Sequence, residues 1–314
     1  MLFGRLREMR RRERCILAGL TVVIMLLVGS VGCEAANETT DQGIPKKLRV
    51  GVVPNISPEK QRAQYEPLRT YLADRLKVDT ELFVADNYAG VVAALVAGQV
   101  DVAYLGGLTY AQAQEQAKGV VPLVTEVDQE TGTPRYFSAV VVQNRSAHRS
   151  VGDVVTAGGT FAFGDVSSTS GSLYPRMMLV SAGAKCDKGD LKKCPPLKTV
   201  TFTGGHDATA QAVLNGAAEA GGIELRILHR LEKQGTIPPG ALRVVGQQEV
   251  MGYPWVARSG LSEEARTAVT DAFTAISDSK LLDLLRAKSF VKVTAADYEE
   301  VRSNASTLGL LTPA

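Results

Sequence analysis

The chain is poor in the residues from which most metal and catalytic sites are built. Its 314 residues include only three histidines, four cysteines and one tryptophan. Four cysteines exclude a disulfide-dense scaffold, and His148, His206 and His229 stand too far apart to form a local metal site. No Gly-Lys-Ser/Thr phosphate loop, GxGxxG turn or His-Glu-x-x-His helix occurs, so the common nucleotide, dinucleotide and zinc-protease motifs are missing. Ser168 or Ser170 with His206 would mimic a nucleophile and base only in a geometry that spacing does not supply. Neither an enzyme nor a resident cofactor or metal is expected. Charge of one sign is lacking as well: 35 basic residues stand against 33 acidic ones, which gives no reason to expect nucleic-acid binding. With 45% hydrophobic and 22% charged residues, the chain is not disordered, and its length allows two lobes of roughly 100–150 residues.

Long apolar runs are scarce too, and the one present is at the start. Six arginines (Arg5, Arg7, Arg10, Arg11, Arg12, Arg14) precede an uncharged stretch from Cys15 to Val31. A basic start, an apolar run and small residues read as a secretory signal over residues 1–32; the alternative is an uncleaved anchor, for which the run is short. Without these residues 29 basic and 31 acidic side chains remain, a net charge of about −2. The arginines therefore bear on orientation, not on a ligand. Ser30-Val31-Gly32-Cys33 resembles a bacterial lipobox, although Ser30 stands where leucine is preferred. Cys33 is thus the expected lipidation site and lipid anchor, against ordinary cleavage after Ala35 or Ala36. Residues 33–46 are polar and aperiodic and read as a flexible tether. Cys186 and Cys194 bracket a short polar segment, where an oxidising compartment leaves a choice between a surface disulfide and free thiols.

The rest alternates strand and helix patterns. Strands are expected at Leu48–Pro54, Glu81–Ala85, Asp101–Leu105, Phe137–Gln143, Thr160–Phe163, Lys198–Phe202 and Leu242–Val245. Helices are expected at Glu59–Leu76, Tyr88–Ala97, Thr109–Lys118, from about Gly171, Asp207–Asn215 and Glu224–Gln234. From Ser262 to the end the pattern is helical throughout. The fold class is α/β, with parallel sheets covered by helices in two similar lobes.

Chemistry concentrates in Phe161-Ala162-Phe163-Gly164-Asp165-Val166-Ser167-Ser168-Thr169-Ser170-Gly171. A strand ends at Phe163 and a glycine- and serine-rich turn opens a helix, whose first N–H groups lack internal partners and carry the positive end of its dipole. The hydroxyls of Ser168, Thr169 and Ser170 add donors there, and Gly171 removes a Cβ that would hinder approach. Such a point holds a tetrahedral oxyanion without a lysine; the plain alternative is a serine-rich helix cap.

Together with Asp86–Gly90, Val100–Tyr110 and Gly204–Ala208, this cluster resembles the phosphonate/phosphite/phosphate-binding family of ABC-transporter solute-binding proteins, over about Leu48 to Leu310. The resemblance implies a type II periplasmic-binding-protein fold: two α/β lobes, a ligand cleft and two crossover strands. Lobe 1 is then expected at 47–137 and 252–314, lobe 2 at 138–251, with hinges near Ala139–Val141 and Val250–Gly252. By the same resemblance Ser168, Thr169, Ser170 and Gly171 surround the phospho-oxygens, Tyr88 and Tyr136 donate hydroxyls from the facing lobe, and His206 bonds the anion. Members that take aminoalkylphosphonates bind the ammonium group with carboxylates. The corresponding positions here are Arg226 and Tyr253, with Glu224 close by as a substitute. The implied ligand is therefore phosphite, phosphate or methylphosphonate, the implied partners an ABC permease and its ATPase, and the implied state a periplasmic, lipid-anchored monomer. A sensor for a membrane kinase, or a binder of selenate-like anions, is the alternative.

Overall fold

The computed structural model describes residues 38–41 and 43–312. The expected signal segment and Cys33 lie outside them. From Thr39 the chain forms one unit, and its first residues are not a free tether. Thr40 N donates to Ile44 O at 2.8 Å, Ser262 Oγ donates to Gly43 O at 3.2 Å, and Ile44 is buried.

The described residues form eleven strands in two sheets. β1 (Lys47–Val52), β2 (Asp79–Phe83), β3 (Val102–Tyr104), β4 (Val121–Asp128), β10 (Trp255–Ala257) and β11 (Ala287–Lys292) form the first, in the order β11-β4-β10-β3-β1-β2. β5 (Arg135–Gln143), β6 (Thr160–Phe163), β7 (Thr199–Phe202), β8 (Ala220–Glu224) and β9 (Leu242–Met251) form the second, in the order β7-β6-β8-β5-β9. The β2-β1-β3 and β7-β6-β8 triplets are parallel, as expected, while β10, β11, β5 and β9 add antiparallel pairs. The tail is not wholly helical, since β11 pairs with β4 at the sheet edge.

Helices cover both sheets. The first lobe carries α1 (Pro58–Leu76), α2 (Tyr88–Val96), α3 (Gly107–Gln116), α8 (Glu263–Thr274), α9 (Ser279–Leu285) and α10 (Glu299–Thr307). The second carries α4 (Val151–Ala157), α5 (Tyr174–Ser181), α6 (His206–Leu214) and α7 (Leu225–Lys233). β5 shows why its lobe needs helices on two faces: Ala139 and Val141 join one core with Ile223 and Ile227, while Val140 and Val142 join another with Phe161 and Leu179. Successive strand residues point to opposite faces, so an unbroken apolar run marks a strand covered on both.

The chain passes between the sheets at 129–134 and again at 252–254. Ala139–Val141 is no hinge, because it lies mid-strand, bonded to β8 on one side and β9 on the other. The Cys186 and Cys194 sulfurs are joined as a disulfide that closes the 187–193 loop.

Candidate functional site

Where β6 ends, the serine-rich turn folds back on itself. Gly164 N donates to Gly171 O at 2.8 Å, and a five-residue π-turn, Thr169–Leu173, leads into α5. Ser168 Oγ accepts from Gly171 N at 3.0 Å, and its carbonyl takes the amides of Ser172 and Leu173. The Thr169 and Ser170 amides therefore head the turn, at the positive end of the helix. A Cβ on Gly171 would stand 2.9 Å from Ser168 Oγ and 3.0 Å from His206 Cε1, so glycine here lets the turn and the imidazole close on each other.

The three hydroxyls differ in use. Ser168 caps the turn. Thr169 Oγ1 accepts from Leu108 N of α3 at 2.9 Å, a bond between the lobes. Ser170 Oγ is buried with no partner in the protein.

Around them stand the aromatic and imidazole groups. Tyr88 opens α2 in the first lobe, its amide donating to Asp165 Oδ2 at 3.3 Å and its hydroxyl facing Ser168. Tyr136 does not come from the facing lobe. It sits on β5, paired with Val250 beside the chain crossing, although its ring packs into the first lobe's core. Its hydroxyl faces Ser170, is buried without a completed bond, and burial raises its pKa. It remains a neutral donor.

His206 opens α6 and donates its backbone N–H to Asn55 O of the first lobe at 3.0 Å. Its Nδ1 accepts from Glu224 N at 3.2 Å, which places the neutral ring's proton on Nε2. Burial holds the pKa down at about 4, outweighing the pull of Glu224 and Asp207. Nε2 has no partner in the protein. With Nδ1 occupied, the ring has no free lone pair to take a serine proton; this arrangement donates and holds.

Asn55 was not legible as a site residue, yet its backbone carbonyl takes the His206 amide and its Nδ2 is buried without a partner in the protein. The available signal was positional, since it follows β1 at the carboxyl end of the parallel strands, where ligands bind in open α/β sheets.

Glu224 serves differently from the hydroxyls. Its amide fixes the His206 tautomer, and its carboxylate takes Arg226 Nε at 2.8 Å and the Tyr253 hydroxyl at 2.7 Å. Burial alone would raise its pKa, but Arg226 and Arg286 overcome that and hold it at about 2. Arg226 also donates from Nη1 to Glu126 Oε1 at 3.2 Å and Asp128 Oδ2 at 3.0 Å, both on β4 of the first lobe. Neither acid was expected here. On the outer side a cavity of about 720 Å³ opens between the lobes, lined in part by Arg226, Arg286, Asp128 and Glu130.

Tyr88, Tyr136, Ser168, Thr169, Ser170 and His206 are each buried. Both lobes thus contribute buried, neutral donors to this region. Among the described residues no group of His, Cys, Asp and Glu is placed to hold a metal, and no helix is long and apolar enough to cross a membrane.

A family described as "ABC transporter, phosphonate, periplasmic substrate-binding protein" matches residues 50–298. The chain belongs to this family. It is the substrate-binding component of an ABC importer, exported to the periplasm. Relatives of this family include the phosphate-import protein PhnD of Mycolicibacterium smegmatis, 27% identical over 308 residues, covering 93% of this chain and 95% of the relative. The phosphonates-binding periplasmic protein of Escherichia coli is 27% identical over 261 residues, covering 82% and 73%. PhnD1 of Prochlorococcus marinus, solved in complex with methylphosphonate, shares the fold with a TM-score of 0.75 at 23% identity, covering 85% of this chain and 99% of that one.

Proposed function

We propose that this protein captures a small phosphorus oxyanion without an amino group (phosphite, phosphate or methylphosphonate) and delivers it to its permease. One observation carries the reading: Asn55 Nδ2, Tyr136 Oη, Ser170 Oγ and His206 Nε2 are buried donors with no partner in the protein. Buried polar groups are nearly always bonded, and leaving one unbonded costs about 1–3 kcal/mol. Buried donors left open in this way suit a ligand rich in acceptors. Tyr88, Ser168 and the amides of Thr169 and Ser170 complete the set, with Gly171 allowing approach. Glu224 acts from behind, through His206.

The nearest carboxylates are already engaged: Asp165 by the amides of Ser167 and Tyr88, Glu224 by Arg226 and Tyr253. That favours an ionised anion over a ligand bearing an ammonium group. Capture proceeds by docking on the 168–171 turn and closure of the lobes, the ligand stabilising the closed form through contacts made only there. The mature protein works as a monomer anchored through Cys33.

A thermal-shift panel with phosphite, phosphate, methylphosphonate, 2-aminoethylphosphonate, sulfate and selenate tests the reading. A ligand at ~100 times its dissociation constant adds about 2.7 kcal/mol, a visible rise in melting temperature. A shift with one of the first three is expected; a larger one with 2-aminoethylphosphonate, sulfate or selenate refutes the assignment.

A further inference from the structure

Arg176 is a buried cation that no carboxylate answers. It stands in the first turn of α5 and is 1% exposed. Its guanidinium lies 4.6 Å from the centre of the Phe163 ring, at the end of β6, and Nη2 donates to Leu191 O at 2.7 Å. Nε and Nη1 are buried with no partner in the protein. Burial alone acts on its pKa, bringing it down to about 10, so the group stays charged at neutral pH. Acids close in sequence to these two contacts are engaged elsewhere. Asp165 takes the amides of Ser167 and Tyr88, Asp187 takes those of Gly189 and Asp190, and Asp190 pairs with Lys193. Arg226, the other buried arginine among the described residues, is balanced by Glu224, Glu126 and Asp128.

A charge is held away from water at a tolerable cost only when something pairs with it. The fold supplies no such partner for Arg176, and its position points to what does. α5 begins where the Thr169–Leu173 turn ends, and a helical side chain leans toward the N-terminus of its helix. Arg176 therefore leans toward the anion-binding turn, and Ser170 is about 9 Å away along the helix. We propose that Arg176 is a specificity-determining residue of the anion site: a buried cation balanced by the bound anion itself, which makes the cleft select dianions over monoanions. The inference rests on the oxyanion reading above and deepens it. No contact with the ligand is required. Hydroxyls and amides respond to the number of acceptor atoms, whereas a field responds to charge. At this separation in a protein interior, one unit charge changes the binding of another on the order of tenfold. A dianion feels that factor twice.

Phosphite at pH 8 is a dianion and hypophosphite a monoanion, so the two read charge at a single pH. Titration calorimetry of wild type, Arg176→Met and Arg176→Gln with both anions, beside melting curves of the apo proteins, tests the proposal. Wild type should favour phosphite by about tenfold or more. Both variants lack the charge: phosphite should weaken about 100-fold and hypophosphite about tenfold, so the preference narrows about tenfold. The apo melting temperature should hold or rise, because an unpaired buried charge has gone. Glutamine can still donate to Leu191 O, and methionine cannot. If Arg176 only holds that loop, Arg176→Gln should bind as wild type does and Arg176→Met should weaken both anions alike; either result overturns the proposal. An unchanged preference in both variants, or failure of both to fold, overturns it too; if one variant fails to fold, the other decides. Wild type that binds neither anion refutes the functional reading, and this assignment with it.

Discussion

Ser168 and Ser170 are two residues apart and do different work. Ser170 Oγ bonds nothing in the protein, so Ser170→Ala should leave the melting temperature unchanged and weaken anion binding by about 1–2 kcal/mol, roughly 5- to 30-fold. Ser168 Oγ caps the turn, so Ser168→Ala should in addition lower stability by ~1 kcal/mol. Comparing melts with titrations of the two variants separates a ligand hydroxyl from a capping one. His206 allows a pH test. Its unfolded ring takes a proton near 6.5, whereas the folded ring refuses one until about 4. The folded state therefore binds fewer protons in between, and this contribution to stability, complete above pH 6.5, is lost as pH falls from 6.5 through 4. Between pH 7 and 5 the apo protein should lose about 1–2 kcal/mol by urea unfolding from this residue, and His206→Gln should abolish that part of the slope. A variant with the wild-type slope would mean the ring is not buried neutral.

Elements were legible in proportion to how locally their signals are written. α2 and β6 announce themselves, through an apolar helix capped by Asn87 and a run of apolar residues before glycine. β4 carries no clear strand signal because Pro122 interrupts it and Glu126 and Asp128 spoil its apolar pattern; those acids are tolerable only because Arg226, a hundred residues on, reaches them. β8 is masked in the sequence for another reason. Its Gly221 and Gly222 weaken any strand signal, yet a Cβ on Gly222 would lie 2.5 Å from Pro175 Cγ and 2.9 Å from Gly171 O. β8 is the central strand against which the serine-rich turn and the first turn of α5 rest. Gly222→Ala should cost about 1–3 kcal/mol in denaturant unfolding by overpacking, and should also weaken the anion by displacing that turn. Unimpaired stability in this variant would show that α5 shifts freely on the sheet. The candidate site follows the same logic: the contiguous hydroxyls could be read from the chain, whereas Glu126 and Asp128 arrive beside Arg226 through tertiary contacts alone.

For the whole molecule, charge and closure are the properties that matter. Binding through neutral, buried donors is screened far less than attraction to a basic face, so the dissociation constant should change less than about threefold between 20 and 500 mM NaCl. A steep dependence would place the anion on the exposed cations of the outer cavity instead. Closure draws on bonds that no ligand supplies: Leu108 N to Thr169, Tyr88 N to Asp165, His206 N to Asn55 and Arg230 Nη1 to Gln64. These link the lobes directly, and with the site residues buried an anion inside has no way out past them. Its dwell time is then set by the parting of this seam together with the contacts the anion makes only in the closed form. Dissociation rates should therefore follow affinity while association rates vary less, and a permease that pries the seam apart would discharge the bound anion.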